Sequence, residues 1–204
     1  MFEIKSNSLK EKIYEILDKP AEEQLEEQDA LKIESLNLDY FNDLNNDYDL
    51  KELIYFKNIE NLSLSDFLLG KEEIEIINNL KNLKQLYLST CDFEEENIYI
   101  ELANIETLNI VDCERFNIKN IVNLNPEMLV IKQSDDNKLT LNINDFKNLD
   151  RTRELFLNNY NIKNINVLNK IAPNLEVLNI DGSICDFSDF DKKNINISHE
   201  ETSL

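Results

Sequence analysis

Seven leucines recur at one phase along the chain, and no other feature restricts its fold as tightly. They fall at Leu36, Leu62, Leu86, Leu108, Leu129, Leu155 and Leu178, with gaps of 26, 24, 22, 21, 26 and 23 residues. Each occupies the fourth position of a phrase whose first, fourth and sixth residues are apolar and whose intervening residues vary. The clearest copies are LKQLYLSTCDF from Leu83 and IETLNIVDC from Ile105; weaker ones begin at Ile33, Ile59, Pro126, Thr152 and Leu175. Alternation of apolar and variable residues is the period of a β-strand, whose side chains point to opposite faces in turn. Repetition at this spacing describes stacked units that bury their apolar faces on one another.

The phrase and its period, inside the family range of about 20 to 29 residues, resemble the leucine-rich repeat. That resemblance implies an α/β fold: a solenoid of about seven repeats with a curved parallel sheet on its concave side and helices or 3-10 turns on its convex side. It also implies that the ninth position holds a small polar or thiol group bonded to the loop backbone. Cys91 and Cys113 fit this expectation, whereas Phe41, Phe67 and Tyr160 depart from it. Pro126 at the first position leaves the register of the fifth copy the least secure. Between the strands, KEEIEIINNLKN carries Ile74, Ile77 and Leu80 at helical spacing, and EEENIYIELAN carries Ile98 and Leu102. The shorter NIKNIVNLN and NIKNINVLNKIAPN predict a helical turn or a short helix.

A solenoid exposes its core at both ends unless something covers it. Ser8 with Glu11 reads as a capping box opening a helix along Leu9, Ile13, Ile16 and Leu17, which Lys19-Pro20 ends. The acidic stretch EEQLEEQDALK then leads into the first repeat. This order of helix, Lys-Pro and short acidic helix resembles the amino-terminal cap of bacterial internalin-like proteins. The expected organisation is one structural domain: a helical cap over residues 1–30, repeats over 31–185, and a carboxy-terminal cap and tail over 186–204. In the last part Phe187, Phe190, Ile195 and Ile197 cover the final coil before HEETSL frays.

With 21 basic and 41 acidic side chains the formal charge is −20, which disfavours direct binding to nucleic acid or to an anionic membrane. No apolar run approaches a membrane span, and MFEIKSNSLK lacks the apolar stretch of a signal peptide, so the expected location is cytoplasmic, or secreted only if a signal peptide has been removed. Catalysis needs placed bases, nucleophiles or a cofactor cradle. The single histidine is His199, near the end; Gly70 and Gly182 are isolated; Asp186, Asp189 and Asp191 lack calcium-loop spacing. Cys91, Cys113 and Cys185 read as core thiols, with no further ligands to complete a metal set. The expectation is a non-enzyme without cofactor or metal.

If the register holds, the outward positions of the strands write out the concave face. The fifth positions read Asn37, Ser63, Tyr87, Asn109, Val130, Phe156 and Asn179. Tyr87, Val111, Met128, Val130 and Phe156 then form a partly apolar centre, flanked by Asp66, Glu106 and Asp112 and by further carboxylates at Glu34, Glu60 and Glu127. Aromatic anchors inside a polar border are the anatomy of a protein-binding surface. The expected partner is another protein, a basic one. The alternative is an immunity or inhibitor protein that neutralises a basic toxin such as a nuclease. A monomer is the expectation, with self-association through the apolar patch as its competitor.

Overall fold

The computed structural model describes residues 3–41, 47–95, 97–134, 138–191 and 194–200. The leucine phrases become strands β1 (Ser35–Asp39), β2 (Asn61–Ser65), β4 (Gln85–Ser89), β6 (Thr107–Val111), β7 (Met128–Lys132), β9 (Glu154–Asn158) and β11 (Val177–Asn179). An eighth strand, β13 (Asn196–Ser198), continues the same parallel sheet in the order β1-β2-β4-β6-β7-β9-β11-β13. Short strands after the ninth positions, directly so in every case but β8, build two further parallel sheets. One joins β3 (Leu68–Leu69) to β5 (Asp92–Phe93); the other joins β8 (Thr140–Asn142), β10 (Asn161–Lys163) and β12 (Ile184–Cys185).

Register follows the leucines. Leu86 pairs with Leu108, Leu108 with Leu129, and Leu129 with Leu155, so the Pro126 copy is in phase with its neighbours. These four leucines are at most 1% exposed, and the sixth positions, from Leu38 to Ile180, are equally buried. Thr152 replaces an apolar first residue at no polar cost, because its hydroxyl donates to the Pro126 carbonyl at 2.7 Å inside the stack.

In three coils the ninth position behaves as the repeat requires. Cys91 Sγ donates to the Leu64 carbonyl at 3.4 Å, Cys113 Sγ to Leu88 at 3.6 Å, and Ser183 Oγ to Leu157 at 2.7 Å. Each donor reaches the sixth-position carbonyl of the preceding coil. Phe67 and Tyr160 fill the same place with buried rings, whereas Phe41 turns outward and is 69% exposed. Cys185 is half-buried against the core.

A second ladder precedes the strands. Asn58, Asn82 and Asn104 donate from Nδ2 to the carbonyls of Leu31, Lys57 and Lys81, one coil back, at 2.8, 2.9 and 3.2 Å. Asn174 repeats the contact on Asp150 at 2.7 Å. These bonds satisfy carbonyls at each corner that the sheet leaves unpaired.

The return legs vary with their length. Helix α3 (Lys71–Asn78) buries Ile74, Ile76 and Ile77. Leu50–Tyr55, Ile118–Ile121, Ile143–Asp145 and Ile165–Val167 are 3-10 turns, the last running into α4 (Leu168–Ile171). The segment around Ile98 and Leu102 is not helical. Ile98, Ile100 and Leu102 are buried while Tyr99 and Glu101 are exposed, which is the alternation of an extended chain. Its backbone is satisfied by side chains: Asn78 Nδ2 donates to the Tyr99 carbonyl and Asn120 Nδ2 to the Ile98 carbonyl at 2.7 Å. Asn120 is fully buried and also accepts the Asn117 N–H at 2.7 Å. Asn120→Ala strands the buried Ile98 carbonyl and takes the acceptor from the partly buried Asn117 N–H, so urea denaturation should show a loss of about 2 kcal/mol.

At the amino end, α1 (Asn7–Leu17) is capped by Ser6, whose hydroxyl accepts the Leu9 N–H at 3.0 Å; the capping box expected at Ser8 is not formed. The helix rests on the first coil through Leu9, Ile13 and Leu17, and Ile16 is exposed. Its α2 neighbour (Glu27–Ala30) follows the Lys-Pro turn. At the carboxy end, Phe187, Phe190, Ile195 and Ile197 join the core as expected, and His199 and Glu200 are held, not frayed. The His199 ring packs edge-on against Phe187 with centroids 5.4 Å apart, and Nε2 lies 3.1 Å from the Ser183 carbonyl oxygen. Residues 201–204 of the expected frayed end lie outside the described residues.

Candidate protein-binding face

Parallel pairing in register lines the outward side chains up across the sheet. Tyr87, Asn109, Val130 and Phe156 occupy consecutive rungs of one row, with Val111 and Met128 on the rows to either side. All six are half-buried by their neighbours on the sheet. The Tyr87 hydroxyl donates to Gln85 Oε1 at 3.1 Å, while Asn109 Oδ1 is buried without a hydrogen-bond partner.

A hollow of about 620 Å³ lies over β1, β2, β4 and β6. Its walls are mainly neutral and polar, with Asn37, Asn61, Ser63 and Gln85 beside Tyr87. Asn109 and Val111 also line it; Met128, Val130 and Phe156 form the adjoining shoulder outside it. The expected site is therefore one continuous surface with two textures, an amide-rich hollow and an apolar shoulder. A smaller recess of about 490 Å³ at the far end, lined by Lys132, Asn158, Asn179 and Asp181, had no signal in the leucine phrase beyond its outward positions. Burial alone would raise the Asp181 pKa, but the Glu200 N–H, the Ser198 hydroxyl and the Asn179 amide all donate to its carboxylate and leave it lowered.

The flanking carboxylates sit on two opposite edges. Glu106 belongs to the second-position row, Glu34, Glu60, Lys84, Glu106, Glu127, Arg153 and Glu176, where the chain enters each strand. Two cations are paired within that row, Lys84 with Glu60 at 2.8 Å and Arg153 with Glu176 at 3.1 Å. The hydrogen bond to Glu60 raises the Lys84 pKa. Charges on the floor are sparse, so the face's acidity is concentrated along this entry row.

Asp66 and Asp112 lie on the exit edge and have a backbone reason for being there. The eighth position turns the chain out of the strand with positive φ: 63° at Asp66, 50° at Thr90, 52° at Asp112, 64° at Asn159 and 70° at Gly182. Asp, Asn and Gly tolerate that left-handed conformation best. Asp112 also accepts the Ser134 hydroxyl at 2.7 Å and the Ser134 N–H, bracing the next coil. Its carboxylate is thus partly committed to the fold.

The arrangement offers little covalent chemistry. The adjacent Cys91 thiol and burial push the Cys113 thiol well above its ordinary range, so it stays protonated. Asp186 is committed to the Ser188 N–H at 2.9 Å. Among the described residues no group of three or more His, Cys, Asp or Glu is placed to hold a metal ion, and no helix is long and apolar enough to cross a membrane.

No protein-family model matches the sequence, and neither does any curated protein. Solved structures do match. An internalin (inlF) from Listeria monocytogenes superposes with a TM-score of 0.64 at 18% identity over 90% of this chain. The chain spans about half of that protein, 52% of its length. Internalin C2 (inlC2) from the same organism gives a TM-score of 0.51 at 15% identity, covering 97% of this chain and 86% of that one. With its leucine rungs in register and internalins as structural neighbours, the chain has the fold of a leucine-rich repeat solenoid of the internalin kind.

Proposed function

We propose that this chain is a non-catalytic binding module that engages a basic protein through its concave sheet. The observation that carries this reading is the run of half-buried apolar side chains, Tyr87, Val111, Met128, Val130 and Phe156, on a floor otherwise mainly of serine, threonine and amide groups, with Asp39, Lys132, Glu154 and Val177 at its remaining outward positions. An apolar centre supplies the desolvated anchors of an interface, and the glutamates of the entry row supply long-range attraction for cations. Cap, repeats and carboxy-terminal segment act as one unit, at about residues 1–30, 31–185 and 186–204, in a cytoplasmic protein. Inhibition of a basic toxin would use the same surface, with Glu34 and Glu106 standing in for phosphates while Glu60 and Glu127 are paired with Lys84 and Arg151.

Affinity capture with wild type beside a Tyr87→Ala/Phe156→Ala variant tests the reading. A partner bound by wild type should be basic, elute with salt, and bind the variant at least about tenfold more weakly, because each side chain is an anchor. Neither residue belongs to the inward core, so the thermal midpoints should stay within a few degrees. Equal retention of every bound protein by the variant would remove the assignment.

A further inference from the structure

Beyond the concave floor, the exit edge of the first two coils carries an aromatic recess in which Tyr40, Tyr48 and Phe67 pack on the core and two exposed side chains are left over. Phe41 occupies a ninth position yet points outward, 69% exposed, and Leu68 on β3 is 54% exposed. Between them Tyr40 stands edge-on to both Phe41 and Phe67, with centroids 5.7 and 5.6 Å apart, and Tyr48 tilts against Phe67 at 6.0 Å. These five side chains enclose an open hollow of about 580 Å³. Solvent-facing phenylalanine and leucine around a concavity are costly to leave wet, unlike single scattered apolar residues.

The edge of the hollow is acidic. Asp49, Asp66 and Glu73 line it, and the lysine that also lines it, Lys51, is paired with Glu72 at 3.1 Å. Asp49 accepts the Lys51 N–H and Glu73 the Gly70 N–H, which fixes both carboxylates in place while leaving their charge. Negative charge around an apolar hollow selects against anionic lipid surfaces and against a second copy of a chain carrying −20.

We propose that this recess docks a short amphipathic segment of a partner protein, one that inserts a phenylalanine- or leucine-sized side chain between Phe41 and Leu68 and sets arginine or lysine against Asp49, Asp66 and Glu73. The recess is separate from the apolar shoulder of the concave floor, and only Asp66 is common to both surfaces. Occupying both would let one partner bind bivalently.

Fluorescence anisotropy with labelled peptides of about 12 residues tests this, using one phenylalanine flanked by arginines and two controls, Phe→Ser and Arg→Glu. Wild type should bind the first peptide saturably, both controls at least about tenfold more weakly, with affinity falling as salt rises from about 50 to about 300 mM. The Phe41→Ser/Leu68→Ser variant, whose changes are on exposed side chains, should lose this binding, and the Tyr87→Ala/Phe156→Ala variant should keep it. Absence of saturable binding, equal binding of the controls, or binding unaffected by Phe41→Ser/Leu68→Ser overturns the proposal. So does sedimentation that shows a wild-type dimer abolished by the same variant, since the occupant would then be a second copy. Because the concave variant is carried in parallel, failure of the recess and failure of the floor give different results.

Discussion

Truncating Leu108 to alanine should lower the free energy of unfolding by about 3 kcal/mol, the scale of a buried leucine deleted from a close-packed core. Leu108 is fully buried and sits between Leu86 and Leu129, its partners in register on either side. Those neighbours are fixed by the parallel hydrogen-bond ladder and cannot slide into the space, so the cavity term is retained as well as the lost transfer energy. For a chain of this size the thermal midpoint should fall by roughly 6 to 12 °C. Phe156 is larger but projects from the opposite face of its strand, and Phe156→Ala should cost under about 1 kcal/mol. Urea denaturation of the two variants compares them directly. If Phe156→Ala proves the more costly, the inward and outward faces have been exchanged.

That contrast was legible in the sequence because a strand's period of two fixes both faces once one leucine is assigned, and the leucine spacing assigned all seven. The return legs were less legible, since their geometry depends on how far each must travel. A helix advances about 1.5 Å per residue and an extended chain about 3.3 Å. The 24-residue gap from Leu62 to Leu86 has room for α3, whereas the 22-residue gap from Leu86 to Leu108 crosses the coil in extended form. Ile98 and Leu102 stand at helical spacing, but Ile100 between them is also buried, and that alternation was the signal for an extended chain. Asn120 gave no periodic sign at all: its burial follows from the carbonyl and N–H that the extended leg and the following turn leave unmet.

The candidate face was legible in its floor and less so in its borders. Outward identity predicts outward position, so Tyr87, Asn109, Val130 and Phe156 fall into one row as the phrase required. Asp66 and Asp112 read in the sequence simply as acidic residues. In the structure they occupy left-handed turns that Asn159 and Gly182 occupy in other coils, so backbone conformation accounts for their position without a partner. By its place in the phrase Phe41 is a ninth-position filler. The Tyr40–Phe67 contact beside it already closes that corner, and the spare ring is left outside.

Replacing Asp29 with alanine should unfasten the amino-terminal cap. Asp29 is 6% exposed and receives Lys19 Nζ at 2.7 Å, Lys32 Nζ at 2.9 Å and the Glu26 N–H at 2.9 Å. It thereby joins the end of α1, the whole of α2 and the entrance to the first repeat. Its removal leaves Lys19 and the Glu26 N–H without their acceptor at a partly buried corner, and the thermal midpoint should fall by several degrees. The same cap should be the first part of the molecule to yield to acid. Hydrogen bonding by Lys19 holds the Asp29 carboxyl well below the usual carboxylate range, and the Ser8 and Asn7 N–H groups bring Asp47 from 3.8 to about 2. Both folded-state values lie below the unfolded ones, so their stabilisation is complete above a pH of about 4 and is lost as pH falls through the folded values. Since Asp47 supplies three of the acceptor contacts at the start of α1, from Ser6 Oγ and the Asn7 and Ser8 N–H groups, its protonation frees that end of the helix. Helical ellipticity at pH values from about 4 down to about 2 should therefore decline in wild type before the sheet melts. Asp29→Ala should show reduced helical signal already at neutral pH. A helix signal that is unchanged by Asp29→Ala and flat across the acid titration would mean that apolar packing through Leu9, Ile13 and Leu17, not these carboxylates, holds the cap in place.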